Sequence, residues 1–394
     1  MPRRRTFASA IHGLVSLRAA CAFALRAALT GEAGSRNTGD PSLQAAEAGQ
    51  LCDAKSKYHH PTMITRFFHT TLALIVLLAL VAALPCRADE AANFPTELVD
   101  FGPASSVPLF AGGGDGAWDK NIRERGWIRR EGPDRWRLWY TGYNDDQSPL
   151  RLLGHASSTD GLNWTRDPAG PLVQGDWIED MCVVRDAGRL VMFAEGEGDI
   201  AHLLVSSDGL AWEERGPLDI RLTTGAPIPE GPRGTPAVWH EQGVWWLFYE
   251  RADQGIWVAT SPDLITFKNV TDDPVIPLGP GHYDTRMIAV DQIVKHRGRY
   301  YAYYHASALG ERGRWCTCIA RSDDLVHWTK YAGNPIVPVD DAHPGTSSSL
   351  LIPDGTRHRL YTTHPEVRVR FSRAPVAGVA PGEVSAAKSS VLAP

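Results

Sequence analysis

The strongest pattern along the chain is an extended apolar run, a turn that contains glycine, and a second run rich in aromatic residues. Two such runs around a glycine turn predict a β-hairpin. The pattern occurs five times, around Gly132, Gly188, Gly243, Gly298 and Gly355. Self-similarity at a period of roughly 50 to 60 residues is typical of propeller blades.

A second motif combines a serine, an aspartate and a final aromatic residue. Its four copies are Ser158–Trp164, Ser207–Trp212, Ser261–Phe267 and Ser322–Trp328. The aspartate suits a tight turn, because its side chain can hydrogen-bond to the backbone just ahead of it. We expect the aromatic residue to pack between blades.

A third motif, a proline followed by β-forming residues, indicates how the ring closes. Four copies follow the serine–aspartate motifs, at Pro171, Pro217, Pro274 and Pro335, and a fifth lies upstream at Pro108 to Phe110. We therefore expect an N-terminal strand near Val107 to Phe110 to complete the last blade, which protects the edge strands. The predicted fold is all-β, a five-bladed β-propeller of four-stranded antiparallel blades whose ring is closed by that strand.

Composition separates the propeller from the start of the chain. The 37 glycines, 28 prolines and 13 tryptophans describe a turn-rich β protein, and every tryptophan lies at or after Trp118. We predict an untranslated or disordered extension over residues 1–62, a signal peptide over 63–88, the propeller over 89–374 and a disordered tail over 375–394.

The signal peptide prediction depends on a basic start followed by an apolar region. Met63 and Arg66 precede an apolar run from Thr71 to Leu84, and a small residue, Ala88, precedes the expected cleavage point. A run of about 14 residues is short for a membrane span, which needs roughly 20. An uncleaved membrane anchor is therefore the less favoured alternative. We expect a secreted or periplasmic protein without stable membrane insertion after cleavage.

Charge and cysteine content restrict the kinds of partner and cofactor that the protein could bind. The formal net charge is −5, and removal of residues 1–88 takes away ten Lys/Arg and four Asp/Glu, which leaves −11. Such a surface does not favour nucleic acid. Cys182, Cys316 and Cys318 permit one disulfide at most and make no convincing metal site. We expect a monomer that requires no cofactor, and a structural Ca²⁺ in the central channel is left open.

Candidate functional residues cluster where the strands of a propeller meet. In each blade the innermost strand starts at one face and the next strand returns to it, so their polar ends converge on one mouth. We expect Glu124, Glu179, Asp180 and Asp291 to be catalytic, and Asp119, Arg123, Arg125, Trp127, Glu195, Glu250, Arg251, Arg286, His305 and His364 to bind substrate. Crowded carboxylates push their pKa values apart, and glycosidic bond cleavage needs one protonated and one ionised partner.

These repeats resemble a known group of enzymes. The five repeats, the motifs at Ser261–Phe267 and Ser322–Trp328, and the segment Asn334 to Val337 look like the five-bladed propellers of glycoside hydrolase families 43 and 32, which include arabinanases, β-xylosidases and invertase-like enzymes. The resemblance covers about residues 98 to 374. It implies a carbohydrate substrate, an acidic base in the first blade, matched by Glu124, and further acidic residues at Glu179 or Asp180 and at Asp291.

The chain also departs from that pattern. The third blade has Gly234-Thr235-Pro236 where the family would have an Asp-Pro pair, and the fourth has Asp291 in place of the general acid of the family. We therefore expect Glu124 as base or nucleophile, Asp291 or Glu179 as acid, and a histidine such as His305 or His364 as a further candidate acid.

Three readings of function stay open. The favoured one is hydrolysis of a glycosidic bond in an extracellular or periplasmic oligosaccharide or polysaccharide. A glycoside phosphorylase would need a basic cluster for phosphate, which Arg123, Arg125, Arg251 and Arg286 offer. A non-catalytic carbohydrate-binding propeller is consistent with the missing acidic residue in the third blade.

Overall fold

The structure is a computed structural model that describes residues 93–173 and 177–376. The predicted extension, the predicted signal peptide and nearly all of the predicted tail lie outside these residues. No helix within the described ranges is long and apolar enough to cross a membrane.

Five antiparallel sheets make up the described part of the chain, as the hairpin pattern predicts. The first blade contains β1 (Asn121–Gly132), β2 (Arg135–Asn144), β3 (Ser148–Ser158) and β4 (Thr165–Arg166); the second contains β5 (Glu179–Asp186), β6 (Arg189–Gly196), β7 (Ile200–Ser206) and β8 (Glu213–Pro217). The third contains β10 (Ala237–Glu241), β11 (Val244–Glu250), β12 (Gly255–Ser261) and β13 (Thr266–Asn269), joined by β9 (Asp219–Arg221) and β14 (Ile276–Pro277). The fourth contains β15 (Met287–His296), β16 (Arg299–Ser307), β17 (Cys316–Ser322) and β18 (Trp328–Lys330), and the fifth contains β19 (Ser347–Asp354), β20 (Arg357–His364) and β21 (Arg368–Phe371).

The prediction of a five-bladed all-β propeller is confirmed. The innermost strand of each blade contacts that of the next, and β19 contacts β1, so the ring is closed. The third sheet departs from the expected four strands because β9 pairs in parallel with β13 and β14 pairs with β12. Helical structure in the described residues is limited to α1 (Thr96–Val99) and one 3₁₀ turn (His282–Asp284).

The serine–aspartate motif forms a tight turn in each of the first four blades. In the first blade the Ser158 hydroxyl donates to Asp160 Oδ1 over 3.0 Å, and this oxygen accepts the backbone N–H groups of Leu162 and Asn163. In the second blade Ser206 makes the equivalent contact with Asp208, which corrects the sequence alignment that begins at Ser207. The two-residue spacing between the hydroxyl and the carboxylate decides which serine takes part.

The aromatic residue that ends three of these motifs packs on the preceding blade, as predicted. Trp212 meets Trp139 edge-on with ring centroids 6.1 Å apart, Phe267 meets Phe193 at 6.2 Å, and Trp328 meets Phe248 at 5.7 Å. Aromatic pairs in this geometry stabilise by about 0.5–1.5 kcal/mol beyond their burial. Adjacent blades are therefore joined by a repeated contact.

The N-terminal segment closes the ring at the fifth blade. Phe110 and Phe101 bridge in antiparallel fashion to Val367 and Ser372, on either side of β21. Between them, Ser105 N–H donates to Val369 O over 2.9 Å. The segment therefore serves as the fourth strand of a sheet that would otherwise have three, as the displaced proline motif predicts.

Candidate active site

One cavity of about 390 Å³ lies where the innermost strands start. All five blades contribute to it, which is the convergence that the strand geometry predicts. Its charged and aromatic lining residues are Arg123, Glu124, Asp180, Glu195, Asp199, Glu250, Asp253, His305 and Trp315. A larger and more open cavity of about 730 Å³ lies near the β1–β2 hairpin, at the other end of these strands, and contains none of the predicted site residues.

Irregular residues on the inner strands orient the side chains of the cavity. The register shifts after Arg123 on β1, after Glu179 on β5 and after Val290 on β15. Glu124, Asp180, Thr235 and Ser348 adopt left-handed backbone conformations, with φ between 45° and 64°. A bulge inserts a residue and re-aims its side chain. With this geometry Asp180 lines the cavity, whereas the adjacent Glu179 does not.

Glu124 is the carboxylate that the site keeps ionised. Arg123 Nε donates to its Oε1 over 2.9 Å, and the backbone N–H of Glu124 donates to His364 Nδ1 over 2.7 Å. Burial acts to raise the pKa of Glu124, but the charges of His364 and Arg123 outweigh it and hold this pKa below its ordinary value. Burial lowers the pKa of His364, whose Nδ1 accepts the backbone N–H of Glu124. His364 and Arg123 are the two neighbours that most lower the pKa of Glu124.

Asp180 lies beside Glu124 and titrates differently. Burial and then the charge of Glu124 raise the pKa of Asp180 to about 6. One of its oxygens, Oδ1, accepts the backbone N–H of Arg125 over 3.0 Å. Two neighbouring carboxyl groups with pKa values pushed apart are the arrangement that acid–base catalysis uses.

Glu179 does not line the cavity, and Trp177 and Arg123 are its partners. Trp177 Nε1 donates to Glu179 Oε2 over 2.7 Å, and Arg123 Nε lies 2.8 Å from Oε1. Burial raises the pKa of Glu179 to about 7. Glu179 lies outside the cavity lining and contacts Arg123. This position suits a residue that holds Arg123 in place, and it does not suit the acid expected from the sequence.

The inner strand of the third blade places no acidic side chain in the cavity, but Glu195 and Glu250 reach this place from the ends of β6 and β11. Glu195, at the end of β6, accepts the backbone N–H of Thr235 at Oε2 over 2.7 Å. Glu250, at the end of β11, accepts the N–H of Gly234 over 3.0 Å and that of Asp253 over 2.6 Å. Burial raises the pKa of both glutamates, that of Glu195 well above its ordinary value. Glu195 and Glu250 thus occupy the place of the acidic residue that is missing at Gly234-Thr235-Pro236.

Asp291 does not reach the cavity, which changes the role expected for it. It is fully buried, and its two oxygens bind His305 Nδ1 at 2.7 Å and the backbone N–H of Ser349 at 2.8 Å. His305 does line the cavity. Burial acts to lower the pKa of His305, but the charge of Asp291 outweighs it and raises that pKa. Asp291 is therefore placed to orient and charge His305 instead of donating a proton to a substrate.

Arg125 lies beneath the cavity and ties inner strands together. Its guanidinium donates to the carbonyl oxygens of Asp180, Met181, Pro236 and Val290, which belong to the second, third and fourth blades. The side chain is 0% exposed, so the expectation that Arg125 binds substrate is corrected to a structural role. The described residues contain no cluster of three or more His, Cys, Asp or Glu suited to a metal. A structural Ca²⁺ in the central channel stays a prediction.

Five further predicted substrate contacts lie outside the cavity lining, and one of them is His364, which accepts the backbone N–H of Glu124. Trp127 is buried in the hydrophobic core, which corrects the expectation that it binds substrate. Asp119 is buried too, and it accepts hydrogen bonds from Tyr140 and Arg166. Arg251 lies over the Trp257 ring at 5.2 Å. Arg286 is near enough to Asp253 to act on its pKa but does not line the cavity.

Three charged or aromatic lining residues are absent from the sequence-based prediction for one shared reason. Asp199, Asp253 and Trp315 each stand just before the third strand of a blade, namely β7, β12 and β17. The third strand starts at the face to which the second strand returns, so its first residues also reach the mouth. Extending the strand-end rule to third strands would have identified all three.

Comparisons with known proteins give one relative in sequence and several in structure. No family model matches the chain. An uncharacterized protein of Mycobacterium tuberculosis is 28% identical over 225 residues, which is 52% of this chain and 74% of that protein. The chain is similar in structure to a putative glycosidase from Bacteroides thetaiotaomicron, with a TM-score of 0.57 and 16% identity over 70% of this chain and 97% of that one.

Two further solved structures share the architecture. A β-1,2-mannobiose phosphorylase from Listeria innocua gives a TM-score of 0.54 at 16% identity, covering 69% of this chain and 96% of its own. The catalytic domain of an α-L-arabinofuranosidase of family 62 from Coprinopsis cinerea gives 0.53 at 12% identity, covering 70% and 98%. These likenesses show the fold. The narrower resemblance to families 43 and 32 stays a prediction.

Proposed function

We propose that the protein is a glycoside hydrolase that uses carboxyl groups for acid and base catalysis. The observation that carries this proposal is one cavity in which carboxyl groups lie together with pKa values shifted in opposite directions. Glu124 has a lowered pKa, whereas the pKa values of Asp180 and Glu195 are raised. Glycosidic bond cleavage needs both forms, one carboxyl group to protonate the leaving oxygen and one carboxylate to activate water or to attack.

The charge of the cavity favours water over phosphate as the acceptor. Six carboxylate side chains line it, whereas its basic lining residues are Arg123 and His305. Arg123 is paired with Glu124 and Glu179, and His305 is paired with Asp291. Of the four arginines that made a phosphate site conceivable, Arg125 is buried and the remaining two lie outside the lining. A phosphate dianion would therefore meet mostly like charge.

A neutral sugar suits this cavity better than an anionic one, for the same reason. The neighbours in structure act on mannosides and arabinosides, according to their descriptions, and both are neutral sugars. We propose a neutral oligosaccharide substrate that is processed outside the cytoplasm, the location expected from the predicted signal peptide.

The test is incubation of the purified protein with a glycan panel in the presence and absence of inorganic phosphate. The panel contains β-1,2-mannobiose, arabino-oligosaccharides, xylo-oligosaccharides and matching 4-nitrophenyl glycosides. We expect release of free sugar at a rate that does not depend on phosphate. Formation of a sugar phosphate would favour the phosphorylase reading, and saturable sugar binding without turnover would favour the binding-protein reading.

A further inference from the structure

The turn that precedes the third inner strand is shaped around the carboxyl group of Glu195. A Cβ atom added at Gly234 would lie 1.9 Å from Glu195 Oε2, so no residue with a side chain fits there without moving that carboxyl group. The next residue, Thr235, has φ of 45°, a conformation that is uncommon for a β-branched residue. The chain thus keeps both a glycine and a strained threonine where they make room for Glu195 and bind it.

Hydrogen bonding distinguishes the two oxygens of Glu195. Oε2 accepts from the Thr235 backbone N–H over 2.7 Å and from the Thr235 hydroxyl over 3.3 Å. No described residue hydrogen-bonds to Oε1, and this atom is not among the buried polar atoms that lack a partner. When Glu195 carries a proton, that proton therefore belongs on Oε1, which is the oxygen left for a ligand.

The surroundings of Glu195 contrast with those of Glu124 in the same cavity. Glu124 has the guanidinium of Arg123 beside it, whereas no cation of the described residues lies within 4 Å of the Glu195 carboxyl group. The charges that act on Glu195 come from Asp180, Asp199 and Glu179, all of which oppose its ionisation. The charge of Glu124 raises the pKa of Asp180, and the charge of Asp180 raises the pKa of Glu195. Asp180 therefore interacts with both glutamates.

We propose that Glu195 is the general acid of the reaction, an inference that rests on the proposed glycosidase function. Glu195 takes the place left open by the missing acidic side chain of the third inner strand. As the bond between the anomeric carbon and the leaving oxygen breaks, its electron pair goes to the leaving oxygen, which takes the proton from Glu195 Oε1. Water supplies the hydroxyl group that ends on the anomeric carbon, and its proton passes to Glu124. Asp180 tunes the pair without contacting the leaving group.

The decisive experiment varies the leaving group. A 2,4-dinitrophenyl glycoside departs without protonation, whereas a 4-methoxyphenyl glycoside needs an acid. Both are made for β-D-mannose, α-L-arabinofuranose and β-D-xylose. We expect Glu195→Gln to lower kcat/KM on the 4-methoxyphenyl substrate by about 10²–10⁴-fold and on the 2,4-dinitrophenyl substrate by less than about 10-fold. Equal losses on the two substrates would overturn the assignment.

Glu250→Gln is the matched control, because Glu250 is anchored by the same turn and lines the same cavity. We expect it to change activity on both substrates by the same factor. Gly234→Ala, in which the new Cβ displaces Glu195, should reproduce the leaving-group pattern of Glu195→Gln. Gly170→Ala is its control, since nothing lies within 4 Å of a Cβ at that position. Wild-type leaving-group behaviour in Gly234→Ala would count against the proposal.

The failure of this proposal can be told apart from failure of the proposed function. If the wild-type protein cleaves no glycoside, the function is wrong, and a ¹³C carboxyl NMR titration still decides the state of Glu195. The resonance that disappears in Glu195→Gln should titrate clearly above the range of an ordinary glutamate. If it titrates in the ordinary range, Glu195 holds no proton to donate and the proposal is overturned.

Discussion

The same residue type takes different protonation states within this cavity because its neighbours differ. Arg123 contacts Glu124 and favours the carboxylate, whereas Glu195 is buried among Asp180 and Asp199 and favours the acid. Asp180, with a pKa of about 6, lies between these two cases. Burial alone would raise all three pKa values, so the placement of His364 and Arg123 beside Glu124 decides which group acts as base.

The activity should therefore depend on pH in a bell-shaped manner. Activity needs ionised Glu124, so kcat/KM should fall as pH drops through a pKa below the ordinary value for a glutamate. It also needs protonated Glu195, so kcat/KM should fall again as pH rises through a pKa well above that value. The measurement is kcat/KM of the wild-type protein across the acidic, neutral and alkaline range. The alkaline fall should be absent in Glu195→Gln, and activity that keeps rising above neutral pH would contradict these protonation states.

At the scale of strands, the propeller brings functional groups together by breaking the regular alternation of its inner strands. Shifts in register on β1 and β5 turn Glu124 and Asp180 into the cavity, and a third on β15 puts Asp291 behind His305. Each bulge lies near the start of its strand. The middle of each inner strand packs in the core. The site is thus made by local exceptions on a rigid frame.

The contrast between regular strand segments and bulges explains which features the sequence could predict. The five hairpins, the aspartate turns and the closing strand follow from period-two patterning and turn residues, and they are present as expected. The convergence of Glu124, Asp180, Glu195, Glu250 and His305 follows from topology. What could not be predicted is side-chain direction at bulges. It separates Asp180 from Glu179 and makes Asp291 a partner of His305, because a bulge depends on contacts between distant strands.

At the scale of the whole molecule, two devices hold the ring together. The segment from Phe101 to Phe110 supplies the last strand of the fifth blade. Arg125 binds inner-strand carbonyl groups of three other blades at once. A guanidinium has five donors in a fixed plane, which suits it to several acceptors that converge near an axis. Arg125, which the sequence pattern predicts to bind substrate, therefore links the inner strands beside the cavity.

Replacing Arg125 should destabilise the fold strongly. Arg125→Met removes the donors but keeps much of the volume, so the carbonyl groups of Met181, Pro236 and Val290 lose their partner in a buried place. We expect the free energy of unfolding to drop by on the order of 3–5 kcal/mol. Denaturant unfolding measures this, with Arg189→Met at an exposed position of β6 as the control. A loss below about 1 kcal/mol would contradict the role assigned to Arg125.

The most direct test of the account is the activity of Glu124→Gln on the best substrate of the glycan panel. The substitution keeps the shape of the side chain but removes the carboxylate that must activate water or attack. We predict that kcat/KM falls by at least about 10³-fold while the melting temperature and sugar affinity stay close to those of the wild-type protein. Turnover within about 10-fold of wild type, in a variant that melts normally, would contradict the claim that this cavity cleaves glycosidic bonds through Glu124.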